Sequence, residues 1–206
     1  MVLPKVKKQK RGIEKRINMI FYISDTHFRD EKIFYKCKRP FSSLEEMEKT
    51  IINNWNKKVN ANDTVYVLGD IVKDDDLDAL QIFKSLNGHK HLIVGNHDGY
   101  ILDGIVKSNI FESIKYIDLI IDNNRKVCIC HYPLMDWIEF NRNGVLVYGH
   151  IHNKTPKNSY AYKLIKDYYR ELPAYNCGVD VTGFEPRTLD ELIILKEVNK
   201  NEAYIN

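Results

Sequence analysis

The sequence predicts an α/β protein whose first half is a parallel β-sheet with helices packed against it. Short apolar strands alternate with amphipathic helical segments over residues 19–98, and each strand runs into a polar loop. A strand, a crossover helix and a second strand form a right-handed parallel unit in nearly all proteins. The repeated order therefore favours a parallel sheet.

The strands of this half are short aromatic and β-branched runs. They are predicted at residues 19–23, 64–68 and 91–94. After the first strand, apolar residues recur at helical spacing behind a serine that can cap a helix, which predicts a helix over residues 44–59. A second helix is predicted over residues 76–86, where an Asn-Gly pair ends the pattern.

The second half contains fewer helical signals. Residues 114–121 and 126–130 flank a polar turn and are predicted to form an antiparallel hairpin. Residues 145–148 form another apolar run, and residues 176–181 are predicted as a further strand. The tyrosine-rich stretch 153–172 has no clear period, so we expect mostly loop there.

With 206 residues and 44% hydrophobic residues, the chain is long enough for one domain with a real core. We expect that domain at residues 19–206, after a basic tail at residues 1–18. Seven Lys and Arg residues against Glu14 give the tail a charge of +6, and the total of +3 leaves −3 for the domain. Such a tail could bind nucleic acid through phosphate contacts, or it could be a solvated chain end.

The four cysteines show no Cys-x-x-Cys spacing, and the first residues lack the apolar stretch of a secretory signal. We therefore expect reduced thiols and a cytoplasmic location. Cys128 and Cys130 alternate along a predicted strand, so they share one face and resemble small core residues more than metal ligands.

No apolar run approaches the roughly 18 residues that cross a bilayer, so no membrane partner is expected.

Polar side chains follow five of the predicted strands, at the point where each strand ends. Because the carboxyl ends of parallel strands converge at one edge of a sheet, these side chains could meet in space. They include five of the seven histidines and offer carboxylate, imidazole and amide donors, which suit mid-series divalent metals. A lone histidine at a strand end is more often a hydrogen-bonded loop residue, but the joint occurrence favours a metal site. The segments are Asp25-Thr26-His27, Gly69-Asp70, Gly95-Asn96-His97-Asp98, Cys130-His131 and Gly149-His150-Ile151-His152.

Two histidines lie outside these segments. The stretch from Gly88 to His91 repeats the Gly-His-x-His pattern, but it precedes its predicted strand. It should therefore lie at the opposite edge of the sheet, and we expect His89 and His91 to be structural or surface residues. The acidic run 74–76 is interpreted as a solvated helix start rather than a third metal site.

The motifs, in this order and after these strands, resemble the calcineurin-like metallophosphoesterase superfamily over roughly residues 20–155. The chain is most similar to the small bacterial and phage-borne phosphohydrolases, in which a stretch like Gly178-Val179-Asp180-Val181 follows the last motif. The resemblance implies a four-layer α/β/β/α sandwich of two mixed β-sheets flanked by helices.

The resemblance also implies a dinuclear metal centre with Asp70 as the bridging ligand. Lys73 stands where purple acid phosphatases have a ligating tyrosine, which argues against an iron-tyrosinate site. Two divalent ions are implied, with manganese expected first and iron, zinc, nickel or cobalt as alternatives. One ion would be held by Asp25, His27, Asp70 and His152, and the other by Asp70, Asn96, His131 and His150.

By the same resemblance His97 is not a ligand, although it follows one. We expect it to act as a general acid toward the leaving group, with Asp98 holding its ring. Four further side chains could contact phosphate or could be ordinary surface or packing residues: Arg29, Arg39, Arg142 and Tyr132.

The expected function is hydrolysis of phosphate esters, with diesters preferred, by a metal-bridging hydroxide that attacks phosphorus in line. A nuclease acting on single-stranded nucleic acid is an alternative, because the tail could retain a polyanion, although the domain is slightly acidic. A phosphoprotein phosphatase is a second alternative. A non-catalytic scaffold is the least favoured function, because all seven ligand positions are filled.

Overall fold

A computed structural model describes residues 17–74, 76–152 and 159–205 of the chain. The strands form two four-stranded sheets with helices around them, which confirms the predicted α/β class. The first sheet contains β1 (Ile20–Ile23), β2 (Thr64–Val67), β3 (His89–Ile93) and β4 (Ser113–Lys115). The second contains β5 (Ile117–Asp122), β6 (Arg125–Cys130), β7 (Val145–Tyr148) and β8 (Ala174–Asn176). The α-helices are α1 (Glu31–Lys36), α2 (Leu44–Lys58), α3 (Gln81–Lys84), α4 (Leu102–Ser108), α5 (Ser159–Tyr168), α6 (Val179–Thr182) and α7 (Leu189–Ile205).

The two sheets differ in strand direction. Strands β1 to β4 lie side by side in chain order and are parallel throughout, because helices connect each strand to the next. In the second sheet, β5 and β6 are antiparallel, whereas β6, β7 and β8 are parallel. Among the described strands the second sheet is therefore mixed. Within the described part of the chain, the first sheet also makes one isolated antiparallel bridge, between Tyr22 and Arg187.

Alternating side chains along the strands build separate apolar layers. On β1, Phe21 and Ile23 belong to the core that includes helix α2, whereas Tyr22 belongs to the core between the sheets. On β6, Val127 and Ile129 pack in that same core between the sheets. The chain thus forms successive layers of helix, sheet, sheet and helix, as the resemblance implied.

The outer face of the second sheet is covered by α5 and by the loop before β7. Cys128 and Cys130 are buried there with Trp137 and Tyr169. The cysteines of the described chain are free and buried, and burial raises the pKa of the Cys128 thiol to about 11. Cys128 and Cys130 are therefore core residues, as predicted.

The region after the last metal motif differs from the prediction. Residues 159–168 form helix α5 instead of loop, because Ile165 and Tyr168 pack on the outer core of the second sheet. Residues 153–158 of the predicted loop lie outside the described residues. The predicted strand 176–181 ends at residue 176, since α6 begins after Gly178. No described helix is both long and apolar enough to cross a membrane.

The apolar run 114–121 is divided between the sheets. Strand β4 ends at Lys115 in the first sheet, and β5 begins at Ile117 in the second. The predicted hairpin is formed by β5 and β6 alone. Its turn residues Asn123 and Asn124 have φ values of 46° and 64°, a left-handed conformation that asparagine tolerates in tight hairpin turns.

Helix α2 supplies a clear test of the core, because Trp55 is fully buried against Phe83 and its Nε1 donates to the Asn87 carbonyl at 2.9 Å. Trp55→Ala should lower the free energy of unfolding by about 3–5 kcal/mol through cavity formation. Ile194→Ala, at a side chain that is 63% exposed on α7, should change it by less than about 0.5 kcal/mol. Denaturant titration measures both, and equal effects would contradict the layered core.

Candidate metal centre

The carboxyl ends of strands from both sheets bring the predicted ligands together. Among the described residues four groups of donors have their ligand atoms within 4.8 Å of one another, and two of these groups contain six of the predicted ligands: Asp25, His27 and His152, and Asp70, His131 and His150. The amide oxygen of Asn96 lies 3.1 Å from His131 Nε2. All seven predicted ligands therefore lie close together, as the positions of the strand ends indicate. We refer to these seven side chains as the cluster.

The backbone of one sheet is joined to a side chain of the other at this point. The His150 N–H, just after β7, donates to both carboxylate oxygens of Asp25, just after β1, at 3.1 and 3.0 Å. In the first sheet, the Asp25 N–H donates to the Gly69 carbonyl at 3.0 Å. These bonds hold the ends of β1, β2 and β7 in one arrangement.

Asp70 lies between the two donor groups. Its Oδ2 is 3.7 Å from His27 Nε2 and 3.4 Å from His131 Nε2, while Oδ1 accepts from the His97 N–H at 2.9 Å. Burial opposes ionisation of this carboxyl, but the hydrogen bond and charge of His131 and the charge of His27 hold its pKa well below the ordinary value. Asp70 is therefore placed as a bridging carboxylate would be.

Second partners orient the imidazole rings. His131 Nδ1 lies 2.6 Å from the Leu68 carbonyl, which can only accept, so this nitrogen carries the proton and Nε2 faces Asp70. His152 Nδ1 lies 2.7 Å from Asp180 Oδ2, and its Nε2 is 3.8 Å from Asp25 Oδ1. In both rings Nε2 is left to face a carboxylate of the cluster.

Burial and charge act in opposite directions on these two histidines. Burial alone would lower the pKa of His131, but Asp70 and Asp25 raise it to about 9. Burial likewise opposes protonation of His152, whereas Asp180, Cys37 and Asp25 raise its pKa to about 10. The carboxylates thus create a strong demand for positive charge at both rings.

His27 tests whether the residues fit a metal ion. The side chain is fully buried, and neither ring nitrogen makes a hydrogen bond of normal geometry, although Nδ1 lies 3.3 Å from Asp30 Oδ2. Burial, only partly opposed by Asp30 and Asp70, lowers its pKa. A buried neutral imidazole with a free Nε2 beside carboxylates matches what a divalent cation requires, so the donor set fits a metal.

The loops that carry these side chains have strained backbones. Asp25, His27, Asp70 and His150 have φ values of 59°, 46°, 53° and 68°. Such left-handed residues cost on the order of 1–3 kcal/mol each and persist where surrounding contacts hold them. A Cβ on Gly95 would overlap the Asp70 carboxylate, so glycine is required at that position.

Asp98 does not hold the His97 ring, which corrects the contact expected from the sequence. Its buried carboxylate instead accepts from the N–H groups of Asp70, Ile71 and Gly95 at 2.9, 3.0 and 2.7 Å. The residue beside the His97 ring is Asp74, with Oδ1 2.5 Å from Nδ1. The side chain of Asp98 is turned beneath the loops, where backbone donors would otherwise be buried without partners.

A buried ion pair that the sequence analysis did not assign to the site lies behind His152. Arg39 donates to the carbonyls of Asp25 and Thr26 at 2.7 and 2.9 Å, and to both oxygens of Asp180 at 3.1 and 3.0 Å. Of the two roles left open for Arg39, the structure supports packing over phosphate contact. Its partner Asp180 belongs to the stretch Gly178–Val181 that follows the last motif. The resemblance of that stretch to related proteins was the only sequence signal that pointed to this pair.

The other candidate side chains lie around the cluster or away from it. Arg29 pairs with Asp76, and the exposed Arg142 with Glu139. Tyr132 packs on the rings of two predicted ligands. His89 and His91 lie within β3 rather than before it, at its amino end, with Glu112 as a shared partner.

The chain is similar to known proteins over most of its length. The family described as calcineurin-like phosphoesterase matches residues 19–188. The uncharacterized protein MJ1445 of Methanocaldococcus jannaschii is 34% identical over 189 residues, or 91% of this chain and 96% of that protein. The gene 66 protein of Mycobacterium phage L5 is 32% identical over 82 residues, or 38% of this chain and 39% of that protein. The crystal structure of AQ665, a protein of unknown function from Aquifex aeolicus, matches with a TM-score of 0.68 and 27% identity, covering 87% of this chain and 100% of that one.

Asp180→Asn tests the partner behind His152. The amide cannot accept from both Arg39 and His152 as the carboxylate does, so we expect metal affinity to fall about 10- to 100-fold. Asp103→Asn, at an exposed aspartate on α4, is the matched control and should leave affinity unchanged. Competition with a chelating dye measures both variants. Unchanged affinity in Asp180→Asn would show that this contact serves the fold alone.

Proposed function

The chain belongs to the calcineurin-like phosphoesterase family, and from this premise we propose that it is a metal-dependent hydrolase that prefers phosphodiesters. Members of this family hydrolyse phosphate esters and bind divalent metals. The observation that carries the proposal is the buried Asp70 carboxylate between His27 and His131, with the partly buried His97 beside it. This combination offers ligands and a proton donor in one site.

We propose that the seven clustered side chains bind two divalent ions. Bound there, the ions would activate a water for attack on phosphorus and stabilise negative charge on the phosphate oxygens. Manganese is the favoured metal, because four imidazoles and an amide oxygen suit a borderline ion better than a hard one. The first set is Asp25, His27, Asp70 and His152, and the second is Asp70, Asn96, His131 and His150.

His97 is the proposed general acid. Its backbone N–H is bonded to Asp70, its ring packs on His27 at 5.1 Å, and its Nδ1 contacts Asp74. With Nδ1 engaged, Nε2 is left to donate a proton to a leaving alkoxide, and the Asp74 carboxylate would stabilise the charged ring. Asp74 therefore holds the His97 ring, as was expected of Asp98. The Asp98 carboxylate instead accepts from backbone N–H groups of the loops.

The charges around the cluster favour a diester over a monoester. A monoester carries up to two negative charges near neutral pH, and a diester carries one. The three arginines considered as phosphate contacts are paired with carboxylates: Arg29 with Asp76, Arg39 with Asp180, and Arg142 with Glu139. Each pair therefore contributes little net positive charge that could stabilise the second negative charge of a monoester.

The alternatives differ in what they require. A nuclease acting on single-stranded nucleic acid would use the basic tail, whose residues 1–16 lie outside the described residues. A phosphoprotein phosphatase would need a broad groove for protein, and a scaffold would not need all seven ligands. The division of the chain into tail and domain and the cytoplasmic location stay predictions.

Asp70→Asn should nearly abolish diester hydrolysis and lower bound metal, because one carboxylate serves both proposed ions and its charge helps to hold them close. The assay compares monoesters, linear and cyclic diesters and single-stranded nucleic acid, with manganese and then with magnesium. His89→Ala is the control and should keep both metal and activity. Two bound metals with near-normal turnover in Asp70→Asn would contradict the proposed centre.

His97→Ala tests the general acid. An alkyl diester has a poor leaving group that needs a proton, whereas nitrophenolate leaves without one, so the variant should slow the alkyl diester by roughly 10² more than the nitrophenyl ester. Metal content should hardly change. Kinetics on both substrates, with metal measured in each preparation, decide the role. Equal losses on the two substrates would leave His97 a positioning residue only.

A further inference from the structure

Tyr132 presents an aromatic ring at the metal centre. The ring lies 5.0 Å from that of His131, nearly perpendicular to it, and 4.8 Å from that of His150. Both histidines belong to the second proposed ligand set. The tyrosine is nevertheless 42% exposed, so part of its ring faces solvent directly beside the cluster.

The backbone that carries Tyr132 is held by contacts on both sides of it. The preceding His131 carbonyl accepts from the Gly149 N–H at 2.9 Å, and the following residue, Pro133, restricts the backbone of Tyr132 itself. Farther along, the Leu134 carbonyl accepts from the Tyr169 hydroxyl at 2.6 Å. A half-exposed tyrosine has few rotatable bonds, so it loses little conformational freedom when a flat group packs on its ring.

Tyr132 and His97 contact different parts of the cluster. His97 packs on His27, in the first proposed ligand set, whereas Tyr132 packs on His131 and His150, in the second. Asp70 contacts histidines of both sets. A phosphodiester has two organic groups, so a leaving group near His97 would leave Tyr132 available to the other group.

We propose that Tyr132 binds a planar aromatic group on the non-leaving ester, so that the preferred diesters carry a nucleoside base or an aryl group. This inference rests on the proposed diester hydrolysis and adds the class of substrate. Stacking of a base on an aromatic side chain is sequence-tolerant and makes a large contribution to binding. Removing the ring should therefore lower kcat/KM about 10- to 100-fold for such diesters.

Three substrates with the same leaving group provide the test: thymidine 5′-(p-nitrophenyl phosphate), phenyl p-nitrophenyl phosphate and methyl p-nitrophenyl phosphate. In Tyr132→Ala and Tyr132→Leu, hydrolysis of the aromatic diesters should fall by that factor, while the methyl diester changes less than about twofold. Leucine fills the space without an aromatic face, and Tyr132→Phe should behave like wild type. Tyr116→Ala, at a tyrosine that is 65% exposed between β4 and β5, controls for loss of a surface ring.

Binding to the manganese-loaded protein gives a second readout. Thymidine 5′-phosphate should bind more weakly to Tyr132→Leu than to wild type, and methyl phosphate should bind equally to both. Loss on the thymidine substrate alone would identify nucleosides, and loss on both aromatic substrates would identify any planar group. Equal losses on all three substrates, or unchanged thymidine 5′-phosphate binding, would overturn the inference. A wild type inactive on all three would refute the proposed function, while the binding comparison would still decide the role of Tyr132.

Discussion

Two buried carboxylates at the junction of the sheets, Asp25 and Asp70, impose the main constraint on this structure. Both are nearly inaccessible to water, so their negative charge must be balanced inside the protein. His131 lies against Asp70 and His152 against Asp25, and nearby carboxylates raise the pKa values of both rings. Divalent cations, when bound, would supply the positive charge that this arrangement favours.

This constraint explains why the surrounding loops are strained and closely tied. Asp25 and Asp70 reach the cluster from left-handed backbone conformations at the strand ends. The Asp98 carboxylate offsets part of that cost by accepting from three backbone N–H groups of two loops, and Arg39 does so from the other side through the Asp25 and Thr26 carbonyls. The apolar layers beneath hold the strands, and these polar contacts hold the strand ends.

The sequence predicted most of the fold and the set of clustered residues, because both depend on local order. Strand β2 follows from a short aromatic and β-branched run and helix α2 from helical spacing, and the predicted ligands follow directly after strands. The partners of the ligands could not be predicted in this way. Arg39 and Asp180 are 141 positions apart in sequence, and Asp74 is 23 positions from His97, whereas Asp98 directly follows it. Helix α5 was missed because its apolar face consists partly of tyrosines, which obscure the period.

Specificity must come from side chains that the cluster leaves open. Two of the buried donors are held by partners behind them, His131 by the Leu68 carbonyl and His152 by Asp180. In the proposed reaction such groups would bind the metal ions and the phosphate, which all phosphate esters share, rather than the organic groups on phosphorus. His97 and Tyr132 are partly exposed, and each packs on a proposed ligand from a different set. In the proposed function the buried cluster would therefore set the reaction type, while the exposed side chains around it would set which esters are accepted.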